Sequence, residues 1–90
     1  MLYKSESNGI YLLGTANRKL AEVTFPDISE TVVNIDHTFV DETLRGQGVA
    51  EHLMSVAAAK IREENKKARL TCSYAKKWFD SHKEFSDILE

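Results

Sequence analysis

Apolar and polar positions change period along this chain, first alternating and then helical. In residues 1–40, short apolar runs alternate with turn-forming residues. Residues 2–5 and 10–14 flank Asn8-Gly9, a strong short-range hairpin signal, so both runs read as strands. Residues 20–25 alternate, with Ala21, Val23 and Phe25 on one face and Leu20, Glu22 and Thr24 on the other. Asn17-Arg18-Lys19 turns the chain into this strand, and Pro26-Asp27 closes it. A fourth strand is predicted over residues 31–40. The connections are short, so these strands should form an antiparallel meander.

The pattern becomes helical over residues 48–67. Val49, Leu53, Ala57 and Ile61 recur every four residues, flanked by Ala50, Met54 and Ala58. Such a stripe is wide enough to lie on a sheet, and the small Ala57, Ala58 and Ala59 allow a close approach. Residues 69–73 read as a fifth strand and 74–81 as a short helix. Strand four, the long helix and strand five then make a βαβ unit with a right-handed crossover. The predicted class is α+β: a mostly antiparallel mixed sheet of about five strands with one long and one short helix, in a single domain over residues 1–90. The sequence has no internal repeat, low-complexity tract or linker.

Between strand four and the helix stands Arg45-Gly46-Gln47-Gly48-Val49-Ala50. Glycines opening a helix leave backbone N–H groups uncovered at the positive end of its dipole, where phosphate oxygens bind well. A tight turn with no ligand is the plainer reading of these residues alone. A dinucleotide fold would want a third glycine where Glu51 stands, and its carboxylate would repel pyrophosphate. The Gly-x-x-x-x-Gly-Lys-(Ser/Thr) loop of nucleoside triphosphatases is absent.

The same six residues match the (Gln/Arg)-x-x-Gly-x-(Gly/Ala) signature of the GNAT acetyltransferases, and the likeness extends further. Asp36-His37-Thr38-Phe39-Val40, then Leu44 to Ala50 and Leu53, resembles the core of the smallest, single-domain GNAT-like subfamily. Cys72-Ser73-Tyr74-Ala75 resembles its Cys-Pro/Ser-Phe/Tyr element, and Phe79, His82, Phe85 and Asp87 its closing motif. Two positions depart from the pattern. Phe39 stands where many members have Glu, and Ser73 where many have Pro.

This resemblance implies a GNAT-like fold and acetyl-CoA or coenzyme A as the ligand. It implies a slot between splayed strands four and five, with exposed backbone near Phe39 and Val40 holding the pantetheine arm. Cofactor contacts are then expected from Thr38, Phe39, Val40, Arg45, Gly46, Gln47, Gly48, Val49, Ala50, Cys72 and Tyr74. The implied activity is direct transfer of an acetyl group to an unidentified amine, including one on a macromolecule, because larger members build their acceptor pocket from N-terminal helices. A non-catalytic acyl-CoA-binding or sensing module is the alternative, and Phe39 in place of a carboxylate supports it.

His37 is the candidate base, since imidazole titrates near neutrality; on strict alternation it shares a face with Val33, Ile35 and Phe39, which also suits a structural role. Cys72, the single thiol, is a candidate nucleophile, proton-transfer group or coenzyme A contact, or else a small buried hydrophobe. It is expected close enough to His37 to cooperate. Tyr74 could protonate the departing thiolate or simply pack. His52 and His82 read as surface or packing residues, and the three histidines have no zinc-ligand spacing.

Composition narrows the setting. A net charge of −2 argues against general affinity for nucleic acid or an anionic membrane. One cysteine excludes an internal disulfide and fits a reducing compartment. The first residues lack a signal-peptide core and no apolar run reaches membrane-spanning length, so a cytoplasmic protein is expected.

Overall fold

A computed structural model describes residues 2–90. The alternating N-terminal part forms three antiparallel strands, β1 (Leu2–Glu6), β2 (Gly9–Leu13) and β3 (Lys19–Thr24). Ile10 and Leu12 on β2 and Ala21 and Val23 on β3 point into the core. The β1–β2 hairpin turns at Ser7 and Asn8, because Gly9 already pairs with Glu6. Asn8 Nδ2 donates to the Phe25 carbonyl (2.9 Å) and to Asp27 Oδ1 (3.3 Å), tying the hairpin tip to the end of β3.

Residues 31–40, expected as one strand, form two: β4 (Val32–Ile35) and β5 (His37–Val40). β5 pairs antiparallel with β3 and completes a sheet in the order β1–β2–β3–β5, whereas β4 pairs in parallel with β6 (Lys67–Leu70). The mixed set of strands is thus paired in two parts that meet at Asp36. The cause of the break is local. The Asp36 amide donates to the Thr24 carbonyl (3.3 Å), and Asp36 Oδ1 accepts from the Thr24 hydroxyl (2.6 Å), drawing the chain towards β3. One residue earlier, the Ile35 carbonyl accepts from the amides of both Thr71 and Cys72 at 3.2 Å, keeping the end of β6 beside β4.

An unpaired residue in a strand flips every side chain beyond it. Val33 and Ile35 are accordingly buried while His37 and Phe39 face solvent, so the expected common face for these four residues does not form.

The helical part packs on the inner side of both sheets. α1 (Val49–Glu63) lies against β2, β3, β5 and β6 and buries Leu53, Met54, Ala57, Ala58 and Ile61. Burying each large apolar side chain contributes about 1.5–3 kcal/mol, and the fully buried Ala57 and Ala58 let the helix sit close. The helix stops at Glu63, short of the predicted residue 67, because Asn65 adopts a left-handed φ of 59°. The Lys66 amide then donates to the Ile61 carbonyl (3.1 Å) and the Asn65 amide to that of Arg62 (3.0 Å), which closes the last turn. β6 consequently starts at Lys67, ahead of the predicted residue 69, and α2 (Ser73–Ser81) follows almost at once. Ala75, Trp78, Phe79 and Ile88 close the core, while Leu89 and Glu90 line the outer edge of β6 by bridging to Ala68.

Candidate functional site

Before α1 the chain makes a 3₁₀ turn at Glu42–Leu44, capped by Asp41, whose Oδ2 accepts from the Thr43 amide (3.1 Å). Gly46 and Gly48 then take φ of 81° and 75°, the left-handed region that other residues enter with strain. Gly48 is the N-cap of α1 and no side chain caps the helix, so the first-turn amides have no acceptor within it. A Cβ on either glycine would meet no atom within 4 Å. A cavity of about 270 Å³ opens over this turn. Arg45, Gly46, Gly48, Val49 and Ala50 line it, with Val40 and Tyr74 at its sides. Leu44 and Glu51 complete the lining, although the signature pointed to neither. Arg45 has no carboxylate partner among the described residues. Gln47 stays outside the cavity, and its Nε2 donates to the Thr43 carbonyl (3.4 Å).

Beyond Asp36, β5 and the chain leaving β6 part. Phe39 lies opposite Glu22, and the Asp41 amide donates to the Leu20 carbonyl (2.7 Å). Antiparallel alternation then turns the backbone groups of His37 and Phe39 towards β3 and those of Thr38 and Val40 towards the open edge. The free backbone expected near Phe39 and Val40 therefore belongs to Thr38 and Val40. The slot is narrow where Thr38 Oγ1 and Cys72 Sγ approach to 3.5 Å, with Cys72 half-buried at the start of α2. Towards its wide end stands Tyr74. Burial raises its phenol above the ordinary pKa, and the nearby Glu51 and Cys72 act in the same direction. Its hydroxyl is thus protonated at neutral pH.

His37 lies on the outer face of the sheet, its Nε2 3.2 Å from Glu22 Oε2. Lys19 Nζ holds the other Glu22 oxygen at 3.2 Å. Thr38, which meets Cys72, leaves the opposite face of β5. The cooperation expected between His37 and Cys72 is therefore not built into this structure; the bulge at Asp36 separates them. Glu22, missed in the sequence, puts a carboxylate directly across from Phe39. His52 packs edge-on against Tyr3 at 4.8 Å, and His82 stacks on Trp78 at 3.9 Å. Among the described residues no three or more His, Cys, Asp or Glu side chains form a group that could hold a metal ion, and no helix is long and apolar enough to cross a membrane.

Residues 10–88 match the family model of the GCN5-related N-acetyl-transferases. The chain belongs to that family. It is 36% identical to Protein NATD1 of Gallus gallus over 58 residues, which cover 64% of this chain and 53% of the relative. The chain thus spans about half the length of the curated relatives it matches. A GCN5-like protein from Staphylococcus aureus, solved by NMR, superposes with a TM-score of 0.81 at 32% identity, covering 99% of this chain and 87% of that one. Ard1 from Thermoplasma volcanium, 22% identical, shares the fold with a TM-score of 0.64 over 83% of this chain and 53% of its own. The architecture is the GNAT fold, with the fourth strand of the sequence reading broken into β4 and β5.

Proposed function

We propose that this chain binds acetyl-coenzyme A and moves the acetyl group directly to an amine. The observation carrying this reading is the uncapped, glycine-built start of α1 opening on a cavity bordered by the free edge of β5. The turn suits a pyrophosphate, since neither glycine brings a side chain into the space and Arg45, beside it, is a cation with no carboxylate partner among the described residues. When bound, acetyl-CoA supplies an acyl group activated as a thioester. The amides of Gly46 to Ala50 hold phosphate oxygens. Backbone groups of Thr38 and Val40 orient the extended arm, and an N–H on this edge donates to the acyl oxygen. Loss of a comparable donor in other enzymes costs about 3–4 kcal/mol.

Tyr74 Oη holds the proton that the departing sulfur needs. On the outer face His37, its Nε2 3.2 Å from a Glu22 carboxylate oxygen, receives the proton released by the amine. Cys72, beside Thr38 at the narrow end, contacts the coenzyme and carries no acetyl group. The outer face of the sheet is open around His37 and Phe39, which favours an amine presented by a macromolecule. A single-domain unit over residues 1–90 and a cytoplasmic setting belong to the same proposal.

A second reading, a non-catalytic acyl-CoA-binding or sensing module, is favoured by Phe39, exposed at the position where the family pattern often has Glu. Titration with acetyl-CoA and coenzyme A, followed by thiol release against a panel of amines, tests both. Amine-dependent release supports the transferase, and tight binding with negligible, acceptor-independent release supports the sensor. Absence of binding overturns both. Mixing with acetyl-CoA alone should leave the protein mass unchanged; an acetyl adduct lost in Cys72→Ala would make the thiol a nucleophile.

A further inference from the structure

One carboxylate, that of Glu51, lines the cavity over the glycine turn. It stands in the first turn of α1, where it competes with any bound anion for the positive end of the helix. Its partner comes from the far end of α2. His82 Nε2 lies 3.2 Å from Glu51 Oε1, while His82 Nδ1 lies 2.7 Å from the carbonyl oxygen of Trp78. The imidazole is also stacked on the Trp78 indole, with an interplanar angle of 9°.

These contacts specify a protonation state. A carbonyl oxygen only accepts, so Nδ1 must carry a proton. In neutral imidazole, Nε2 would then turn a lone pair towards a carboxylate oxygen, and the two would repel. The contact becomes a bond only when Nε2 is protonated as well. The arrangement is that of an imidazolium clamped between an anion and a carbonyl, with an aromatic face against it.

We propose that His82 is a positioning residue for the phosphate seat: as the imidazolium it binds Glu51 and neutralises its charge, so anion affinity at the glycine turn rises when His82 is protonated. This rests on the reading of that turn as a pyrophosphate seat. The groups around the imidazole are Glu51 from α1, Tyr74, Lys77, Trp78 and Ser81 from α2, and Glu84 from the following turn. Glu84 favours protonation, and Lys77 lines the same hollow as the ring. The bond to the Trp78 carbonyl raises the His82 pKa above its ordinary value most strongly; partial burial opposes this and Glu51 adds to it. The sign follows. The clamp is fully formed below the ordinary histidine range, about pH 6.5, and is lost as pH rises through the raised value.

Coenzyme A is the probe, titrated calorimetrically from about pH 6 to 8.5, a window spanning histidine titration, with the parent, His82→Gln and Glu51→Gln. The phosphates of the ligand titrate identically in all three samples and cancel in ratios of affinity. The parent should bind about fivefold more tightly than His82→Gln at the acid end, as one nearby charge in a solvated site would give, and equally at the alkaline end. Glu51→Gln should bind tightly throughout. A parent-to-His82→Gln ratio that does not change with pH overturns the proposal. If His82→Gln folds poorly, NMR titration of the His82 imidazole in the parent decides, because saturation with coenzyme A must raise its pKa; an unmoved titration overturns the proposal while leaving the seat intact. If coenzyme A fails to bind the parent at any pH, the seat itself is wrong and the proposal falls with it.

Discussion

β4 and β5 are consecutive pieces of a single strand-like run, yet they have opposite fates. β4 is held on both sides, by β6 along its whole length and by a bridge from Val33 to Asp27, and its Val33 and Ile35 are buried. β5 is held on one side by β3, leaves its other edge without a strand, and exposes His37 and Phe39. The hydrogen-bonding capacity that β4 spends within the fold, β5 keeps for a ligand. One residue, Asp36, makes the difference by leaving the ladder. A strand that supports the core and a strand edge that binds an extended molecule need opposite pairing, and a bulge lets one segment provide both.

The comparison breaks most visibly if β4 is not the supporting half. Ile35 has no exposed surface, so Ile35→Ala should cost about 2–5 kcal/mol through lost burial and the cavity left behind. Phe39→Ser on β5 should stay within about 1 kcal/mol, as expected for an exposed position. Thermal or urea unfolding of both variants checks this, and similar losses would dissolve the contrast.

On the binding side, Gly48→Val should weaken coenzyme A by about 2 kcal/mol, from steric exclusion and lost hydrogen bonds at the turn. The new side chain meets no protein atom, but the left-handed φ of 75° adds strain. Stability must therefore be measured alongside affinity. A folded variant that binds as tightly as the parent would remove the turn from the site.

The division between β4 and β5 was the least legible part of the sequence. The alternation of Ala21, Val23 and Phe25 and the four-residue recurrence of Leu53, Ala57 and Ile61 report burial directly, and β3 and the start of α1 appear where expected. A bulge carries no such signal. Thr31 to Val40 reads as one strand because the Asp36–Thr24 pair joins residues distant in sequence. The positions of His37 and of the free backbone groups were lost with it. The early stop of α1 was nearer to legibility, since asparagine tolerates the left-handed conformation that closes a helix. Turn residues were clear from glycine chemistry alone. Glu22, Glu51 and His82 were not, because each gains meaning only from a partner on another element.

Asp36→Ala sharpens the comparison at its hinge. Removing the 2.6 Å bond between Asp36 Oδ1 and the exposed Thr24 hydroxyl should cost about 1 kcal/mol of stability, the usual net value of one such bond. If that bond helps hold β5 away from β6, coenzyme A affinity should also fall. Unchanged affinity would mean that the backbone ladder to β3 keeps the slot open unaided.

The smallest effect is expected where the two sides of the slot still touch. Thr38 and Cys72 meet at 3.5 Å through a hydroxyl and a sulfur, and either atom can be the donor. Sulfur hydrogen bonds are weak, so Thr38→Val, which keeps the shape, should alter stability by no more than about 0.5 kcal/mol. Thiol chemistry is the more sensitive readout. A threonine hydroxyl that donates to sulfur stabilises the thiolate, which is the species alkylated by iodoacetamide. Its removal should slow labelling of Cys72, by about threefold if one weak bond is lost. Faster labelling would reverse the direction of the bond, with the thiol donating to Thr38 and held protonated by it. An unchanged rate would show that the hydroxyl has no measurable hold on the sulfur, leaving backbone pairing alone to separate the β5 edge from the supporting half of the strand.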